Sequence, residues 1–303
     1  MRPPVNRTAL EAELARLLGA SVVLQPMTQG EESRAFALTV AGEELILRLH
    51  PTGHGYAKDA FASRNFGSKE LPVPHVVDYG ILDSGLFYCL SERAPGVTLQ
   101  DLDGSELEPV LEPVARVMDA IARTDVSAVS GYGPFDAEGR GGHTSWHDYL
   151  LAIADPGADG WSRASGDISE TIARLFDLLH ALAGHCPETR ALVHGDFGSN
   201  NVLVDDARIS GVIDWSEAMV GDPLYDLANI LFWRPWLDCM EQQARFFDQN
   251  RPELLKDVRR LTCYQLRIGL GEASGALRQG NRRMLDWALA RCEAIASEAG
   301  ERG

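Results

Sequence analysis

Apolar positions near the amino terminus recur at helical spacing. Leu10, Leu14, Leu17 and Leu18 line one face of a segment that opens with Thr8 and Glu11 at capping-box spacing. The period then falls to two. The runs "SVVLQPM", "RAFALTV" and "EELILRL" read as extended, and the Ala41–Gly42 pair predicts a tight hairpin between the last two. A helix is predicted over 56–69. "LPVPHVVDYGIL" then reads as an extended entry and strand, and "GLFYCLSERA" as another strand. Residues 1–93 thus predict an antiparallel sheet with one or two helices.

Pro95 and Gly96, side by side in "APGVTL", break this pattern. Helical spacing dominates beyond them. Ser105 and Glu108 stand at capping-box spacing before "LEPVLEPVARVMDAIA", and "SWHDYLLAIAD" and "SETIARLFDLLHALAG" follow. From Pro223 onward the chain reads helical except at Pro235 and Pro252. One stretch in this half is different. In "LVHGDFGSNNVLVDDARISGVIDW", residues 192–215, Val202–Val204 and Ile209–Ile213 predict two strands paired across "DDAR". No repeat or low-complexity segment interrupts the chain. The fold class expected is α+β and bilobal: a small antiparallel β-sheet lobe over 1–93, and a large mainly helical lobe over 94–303. The hinge falls at about 91–97, and ligands prefer the cleft between two such lobes.

Composition narrows the partners. With 28 Lys and Arg against 44 Asp and Glu, the formal charge of −16 repels nucleic acid and anionic membranes. It favours cationic ligands, and it serves solubility equally well. The five cysteines, an odd number with no C-x-x-C spacing, read as reduced thiols rather than a disulfide framework or zinc site. No run reaches the roughly 18 to 20 apolar residues of a membrane span. The amino terminus has no apolar signal core, so a cytoplasmic location is expected.

The predicted hairpin concentrates chemistry. Asn201 precedes its first strand and Asp214 ends its second, so both emerge at the open end; Asp196 lies in the loop that enters it. Hard oxygen donors gathered in this way suit Mg²⁺, with coordination positions left for phosphate and water oxygens. Asp196 suits a separate task, accepting a hydroxyl proton and aiming that oxygen at phosphorus.

His194 to Asn201 spell H-G-D-x-x-x-x-N, and residues 213–215 spell I-D-W. Together they resemble the catalytic and metal-binding loops of the aminoglycoside phosphotransferase family, which has a protein-kinase-like fold. "GDPLYDLA" at 221–228 resembles that family's next helix entry. The longer strings "GEESRAF", "GVTLQDL", "IADP", "FGSNNVL", "IDWSEAM" and "FWRPWL" resemble its hygromycin B branch, over about residues 30–295. The resemblance implies Asp196 as catalytic base and Asn201 and Asp214 as Mg²⁺ ligands. His194 takes a structural hydrogen-bonding role. Asp222 caps the following helix and ties down the catalytic loop, or contacts ligand.

The same resemblance implies Arg48, in "LILRLH", as the cation on the third strand that holds the nucleotide phosphates; the other reading is a solvent-facing strand residue. Asp59 and Glu70 are the two candidate partners for it. Ser33 and the backbone of the loop beginning at Gly30 would cover the phosphates, and Ser91, Glu92, Arg93 and Ala94 would meet the base. A hinge reads the base through main chain, so ATP is the expected co-substrate with GTP not excluded. Asn200, Glu217, Trp233, Trp236 and Asp238 are the expected acceptor contacts. Aromatic faces pack on sugar rings and attract ammonium groups, and carboxylates pair with amines; equally, the two tryptophans could be core. Pro235 should break the helix between them. The expected protein is an Mg²⁺-dependent, monomeric kinase of a cationic small-molecule antibiotic, most closely hygromycin B, with nucleotide as its other partner. The alternatives are a kinase of another cationic small molecule, a non-catalytic nucleotide-binding relative and an interaction scaffold.

Overall fold

The structure, a computed structural model, describes residues 5–27, 33–53, 55–155 and 160–302. The chain runs through helix α1 (Arg7–Leu18), strands β1 (Gln25–Pro26), β2 (Arg34–Val40) and β3 (Glu43–His50), and helix α2 (Tyr56–Asn65). Strands β4 (Val76–Ile81), β5 (Phe87–Glu92) and β6 (Val97–Thr98) follow. Next come helices α3 (Gly104–Leu107) and α4 (Leu111–Arg123), strands β7 (Tyr132–Phe135) and β8 (Gly141–His143), and helices α5 (Trp146–Ala152) and α6 (Asp167–Ala183). Strands β9 (Ala191–Val193), β10 (Val202–Asp205), β11 (Arg208–Val212) and β12 (Met219–Gly221) precede four helices: α7 (Leu224–Trp233), α8 (Asp238–Asn250), α9 (Val258–Gln279) and α10 (Arg282–Arg302).

The chain divides into two compact units, 1–98 with 201–217, and 99–200 with 218–303. The division expected at 93/94 counted the 202–212 hairpin with the second lobe. By its contacts the hairpin belongs to the first unit, because β10 pairs with β6.

In the first unit a five-stranded antiparallel sheet runs β1-β2-β3-β5-β4. The β2–β3 turn at Ala41 (φ 53°) and Gly42 (φ 90°) has the paired positive φ that suits the twist of a two-residue hairpin. Register gives the sheet two distinct faces. Phe36, Leu38, Leu45, Leu47, Leu49 and Leu90 pack with Leu10, Leu14, Val22 and Leu24 as one core. On the opposite face Ala35 pairs with Arg48, Arg48 with Cys89, Ala37 with Ile46, and Ile46 with Ser91. Each fully buried leucine contributes about 1.5–3 kcal/mol, so a one-residue slip that exchanged the faces would be prohibitive. Helix α1 starts differently from expectation. Asn6 is its cap, accepting from the Ala9 amide at 3.2 Å, while Glu11 turns to the Leu24 amide at 2.9 Å. Leu17 stays 47% exposed. Helix α2 ends at Asn65, short of the expected Lys69, with Gly67 just beyond.

A small sheet, β11-β10-β6, completes this unit. Asp206 (φ 47°) and Ala207 (φ 57°) turn the β10–β11 hairpin. Gly96 is required here: a Cβ on it would lie 1.9 Å from the Val204 carbonyl oxygen.

The second unit is mainly helical, but it holds a four-stranded sheet, β8-β7-β12-β9, that the sequence pattern did not reveal. Its strands have three or four residues, too few to show a period of two. The box expected at Ser105 and Glu108 forms two residues earlier, between Asp103 and Glu106. Pro235 separates α7 from α8, as its missing amide requires. No described helix is long and apolar enough to cross a membrane.

Candidate functional site

In the first unit the open end of the β10–β11 hairpin holds Asn201 and Asp214 side by side in the backbone. The Ile213 amide donates to the Asn201 carbonyl at 3.0 Å. Asn201 is buried, and Asp214 is half-buried with φ at 61°, a left-handed conformation that aspartate tolerates better than most residues. Two bonds from α2 hold the loop that follows. Asp59 accepts from the Trp215 amide at 2.7 Å, and Lys58 donates to the Ser216 carbonyl at 2.7 Å. The second Asp59 oxygen pairs with Arg48.

Asp59 is thus the partner of Arg48, and the solvent-facing reading of Arg48 does not hold. Its guanidinium also meets Cys89 Sγ at 3.7 Å and stands 5.2 Å from the Tyr56 ring centre. Burial opposes the charge, yet Asp59, Cys89 and Asp214 together hold Arg48 well above its ordinary value. Burial also pulls Lys58 down to about 8, with Glu217 and Asp59 working against it.

Of the expected nucleotide contacts, Ser33 sits half-buried just before β2. Gly30 lies outside the described residues. Ser91 and Glu92 end β5, and Arg93 and Ala94 follow. The Glu92 and Arg93 amides already donate to the His75 and Glu44 carbonyls, at 2.8 and 3.0 Å.

In the second unit, β9 delivers the chain into the loop 194–200. His194 is fully buried, and its Nδ1 accepts from the Asp196 amide at 3.3 Å. Gly195 and Gly198 have positive φ, and a Cβ on Gly198 would meet Met240 at 2.7 Å. Asp226 from α7 accepts from the His194 and Gly195 amides, both at 2.9 Å. Asn229, one turn along α7, donates to the Phe197 carbonyl at 3.2 Å. Asp196 is half-buried and Asn200 exposed.

The anchor of this loop is therefore Asp226 rather than Asp222. Asp222 does cap α7, accepting from the Leu224 amide at 3.0 Å, but otherwise it faces Arg260 and the Tyr264 hydroxyl. Both aspartates stand in "GDPLYDLA". Only the second bonds the amides that follow β9, and sequence alone offered no sign of that. Burial raises Asp226 to about 6, against the two amides it accepts.

The expected acceptor residues divide between the two units. Glu217 is exposed just after Asp214 in the first unit. Trp233 and Trp236 are half-buried in the second. Trp233 stacks on Trp287 at 5.0 Å, Trp236 meets Trp287 edge-on at 4.7 Å, and Arg283 stands over Trp236. Neither tryptophan is core, yet both pack on α10. Asp238 lines a groove of about 680 Å³ with Glu241, Asp248 and Arg234, whose lining includes neither tryptophan.

An α+β fold with a five-stranded antiparallel sheet, a buried cation–carboxylate pair under it and two anchored loops is the protein-kinase-like arrangement of small-molecule phosphotransferases. The chain belongs to the phosphotransferase enzyme family (APH), which matches residues 23–260. It is 48% identical to the hygromycin-B 4-O-kinase of Escherichia coli over 97% of this chain and 86% of that protein. Among solved structures, aminoglycoside phosphotransferase APH(4)-Ia superposes with a TM-score of 0.92 at 48% identity, covering 97% of this chain and 99% of its own. A thermostable mutant of APH(4)-Ia, in ternary complex with ADP and hygromycin B, gives 0.91 at 50% identity, over 96% and 99% of the two chains.

Proposed function

We propose that this protein transfers the γ-phosphoryl group of ATP to a hydroxyl of hygromycin B, the 4-hydroxyl by analogy with its Escherichia coli relative. One observation carries the reading: 48% identity to a hygromycin-B 4-O-kinase over nearly the whole chain. Asp196 accepts the hydroxyl proton as the acceptor oxygen bonds to the γ-phosphorus. The bond from that phosphorus to the bridging oxygen of the leaving diphosphate breaks, and ADP departs. His194, through its bond to the Asp196 amide, keeps the carboxylate oriented.

The donors at the hairpin end suit Mg²⁺. Asn201 and Asp214 offer one amide and one carboxylate oxygen, with no sulfur or imidazole that would favour a softer metal. When bound there, the ion neutralises triphosphate charge. Arg48, fixed by Asp59, adds a second positive group. Ser33 and the 91–94 segment hold the rest of the nucleotide. Asn200, Glu217, Trp233, Trp236 and Asp238 contact the cationic drug. The product carries a bulky dianion on the antibiotic, and this reading makes the protein a cytoplasmic, monomeric resistance enzyme.

The test is ATP consumption with and without hygromycin B, with the antibiotic product analysed by mass. Drug-dependent turnover and a product heavier by one phosphoryl group are expected. Turnover that ignores the drug would overturn the acceptor assignment.

A further inference from the structure

Tyr56 opens α2, and its side chain is 5% exposed. Among the described residues its hydroxyl has no hydrogen-bond partner, although the oxygen is shut off from solvent. A buried donor left unpaired destabilises the fold, so a tyrosine here needs a reason that phenylalanine would not meet.

The surroundings supply one. Tyr56 and Asp59 are three residues apart on α2 and share a face. Asp59 holds Arg48 and the amide that follows Asp214. The Tyr56 ring lies against the Arg48 guanidinium, 5.2 Å from its central carbon. The preceding Gly55 (φ 94°) brings the helix start onto the same loop: a Cβ there would meet Ser216 at 2.6 Å. Burial pushes the ionisation of the phenol well above the usual tyrosine range. The phenol thus stands among the groups that hold the segment just after Asp214, the proposed metal ligand.

We propose that Tyr56 is a positioning residue for Asp214, its hydroxyl donating to the Asp214 carboxylate when that carboxylate turns to the nucleotide–metal complex. This rests on the assignment of Asp214 as a metal ligand. A donor unpaired in one state and paired in another biases the protein toward the second. Tyr56 thus couples the start of α2 to nucleotide occupancy, and the unmet hydrogen bond is the element that both share.

Tyr56→Phe separates this from a packing role. The free variant should melt at or above the wild-type temperature, since the ring stays and the orphaned hydroxyl goes. Its KM for Mg²⁺–ATP and its half-saturating Mg²⁺ should each rise about tenfold, with KM for hygromycin B unchanged. In an Asp214→Ala background the same substitution should have no further effect on Mg²⁺–ATP binding, to within twofold. Superimposable Mg²⁺ titrations of wild type and Tyr56→Phe, or an undiminished effect in the Asp214→Ala background, would overturn the proposal. So would a lower melting temperature that accounts for the lost activity. Mg²⁺–ATP binding without phosphorylation of hygromycin B would sink the acceptor reading alone, and the titrations would still decide Tyr56. A wild type that binds no Mg²⁺–ATP would remove the nucleotide site and this inference together.

Discussion

Two buried aspartates each anchor one loop of the proposed machinery, and they do so in opposite electrostatic settings. Asp59 in the first unit divides its oxygens between the Trp215 amide and the Arg48 guanidinium. Asp226 in the second gives both oxygens to backbone amides, those of His194 and Gly195. Among the described residues no cation pairs with its carboxylate, and burial raises it to about 6. The difference follows from the task proposed for each loop. A loop facing triphosphate gains from a fixed positive charge nearby. A loop carrying a proton acceptor would have that carboxylate's basicity lowered by a permanent cation, and dipoles alone hold it without that effect.

The largest expected effect lies at the chemistry that the second loop carries. Asp196→Asn should reduce single-turnover phosphorylation by about 10³-fold, within the range for general-base catalysis, while ATP affinity stays within about twofold. A variant within tenfold of wild type would remove the reason for contrasting the loops.

The anchors themselves come next. Asp59→Asn leaves the Arg48 charge buried without its counter-charge and should destabilise the protein by about 3–5 kcal/mol in chemical denaturation. Asp226→Asn keeps the shape but places an amide N–H₂ against a backbone N–H. A loss of about 1–3 kcal/mol is expected, along with a fall in kcat. Equal losses for the two variants would show that the cation makes no difference.

The pH dependence sharpens the same contrast. The folded value of Asp226, about 6, lies above its ordinary 3.8, so between these the native state binds more protons than the unfolded chain. Stability from this group is present below about 4 and is lost as pH rises toward 6. The gap in unfolding free energy between wild type and Asp226→Asn should therefore narrow across that window. A gap that widens would show the carboxylate to be stabilised in the fold instead.

The smallest effect should come from outside both loops. Trp236→Ala is expected to weaken hygromycin B binding by about 1 kcal/mol in calorimetric titration, with little change in melting temperature. Unchanged affinity with a lower melting temperature would assign the ring to packing on Trp287.

Local signals were legible in the chain. The β10–β11 hairpin, the turn at Ala41–Gly42 and the break at Pro235 each arise within a few residues, where φ preferences and alternation decide the conformation. Caps were less legible. Asn6 and Asp103 displaced the expected Thr8 and Ser105 because several side chains near each helix start could accept the same amides. The sheet of β7, β8, β9 and β12 left no trace, since strands this short are specified by their neighbours. Trp146 shows how: its ring packs so closely on β12 that a Cβ on Gly221 would lie 2.2 Å away.

By itself, the sequence determined the order of polar groups along two loops: His194, Asp196 and Asn201 on one, Asp214 and Glu217 on the other. It also determined which segments alternate and which turn, because such preferences belong to single residues and their immediate neighbours. Only the tertiary structure decided which carboxylates do the anchoring. Asp59 was one of two candidates for Arg48, and Asp226 passed unnoticed beside Asp222. Each was selected by burial, where an unpaired charge or amide is too costly to leave, and partners 11 and 32 residues apart in sequence are brought within hydrogen-bond distance.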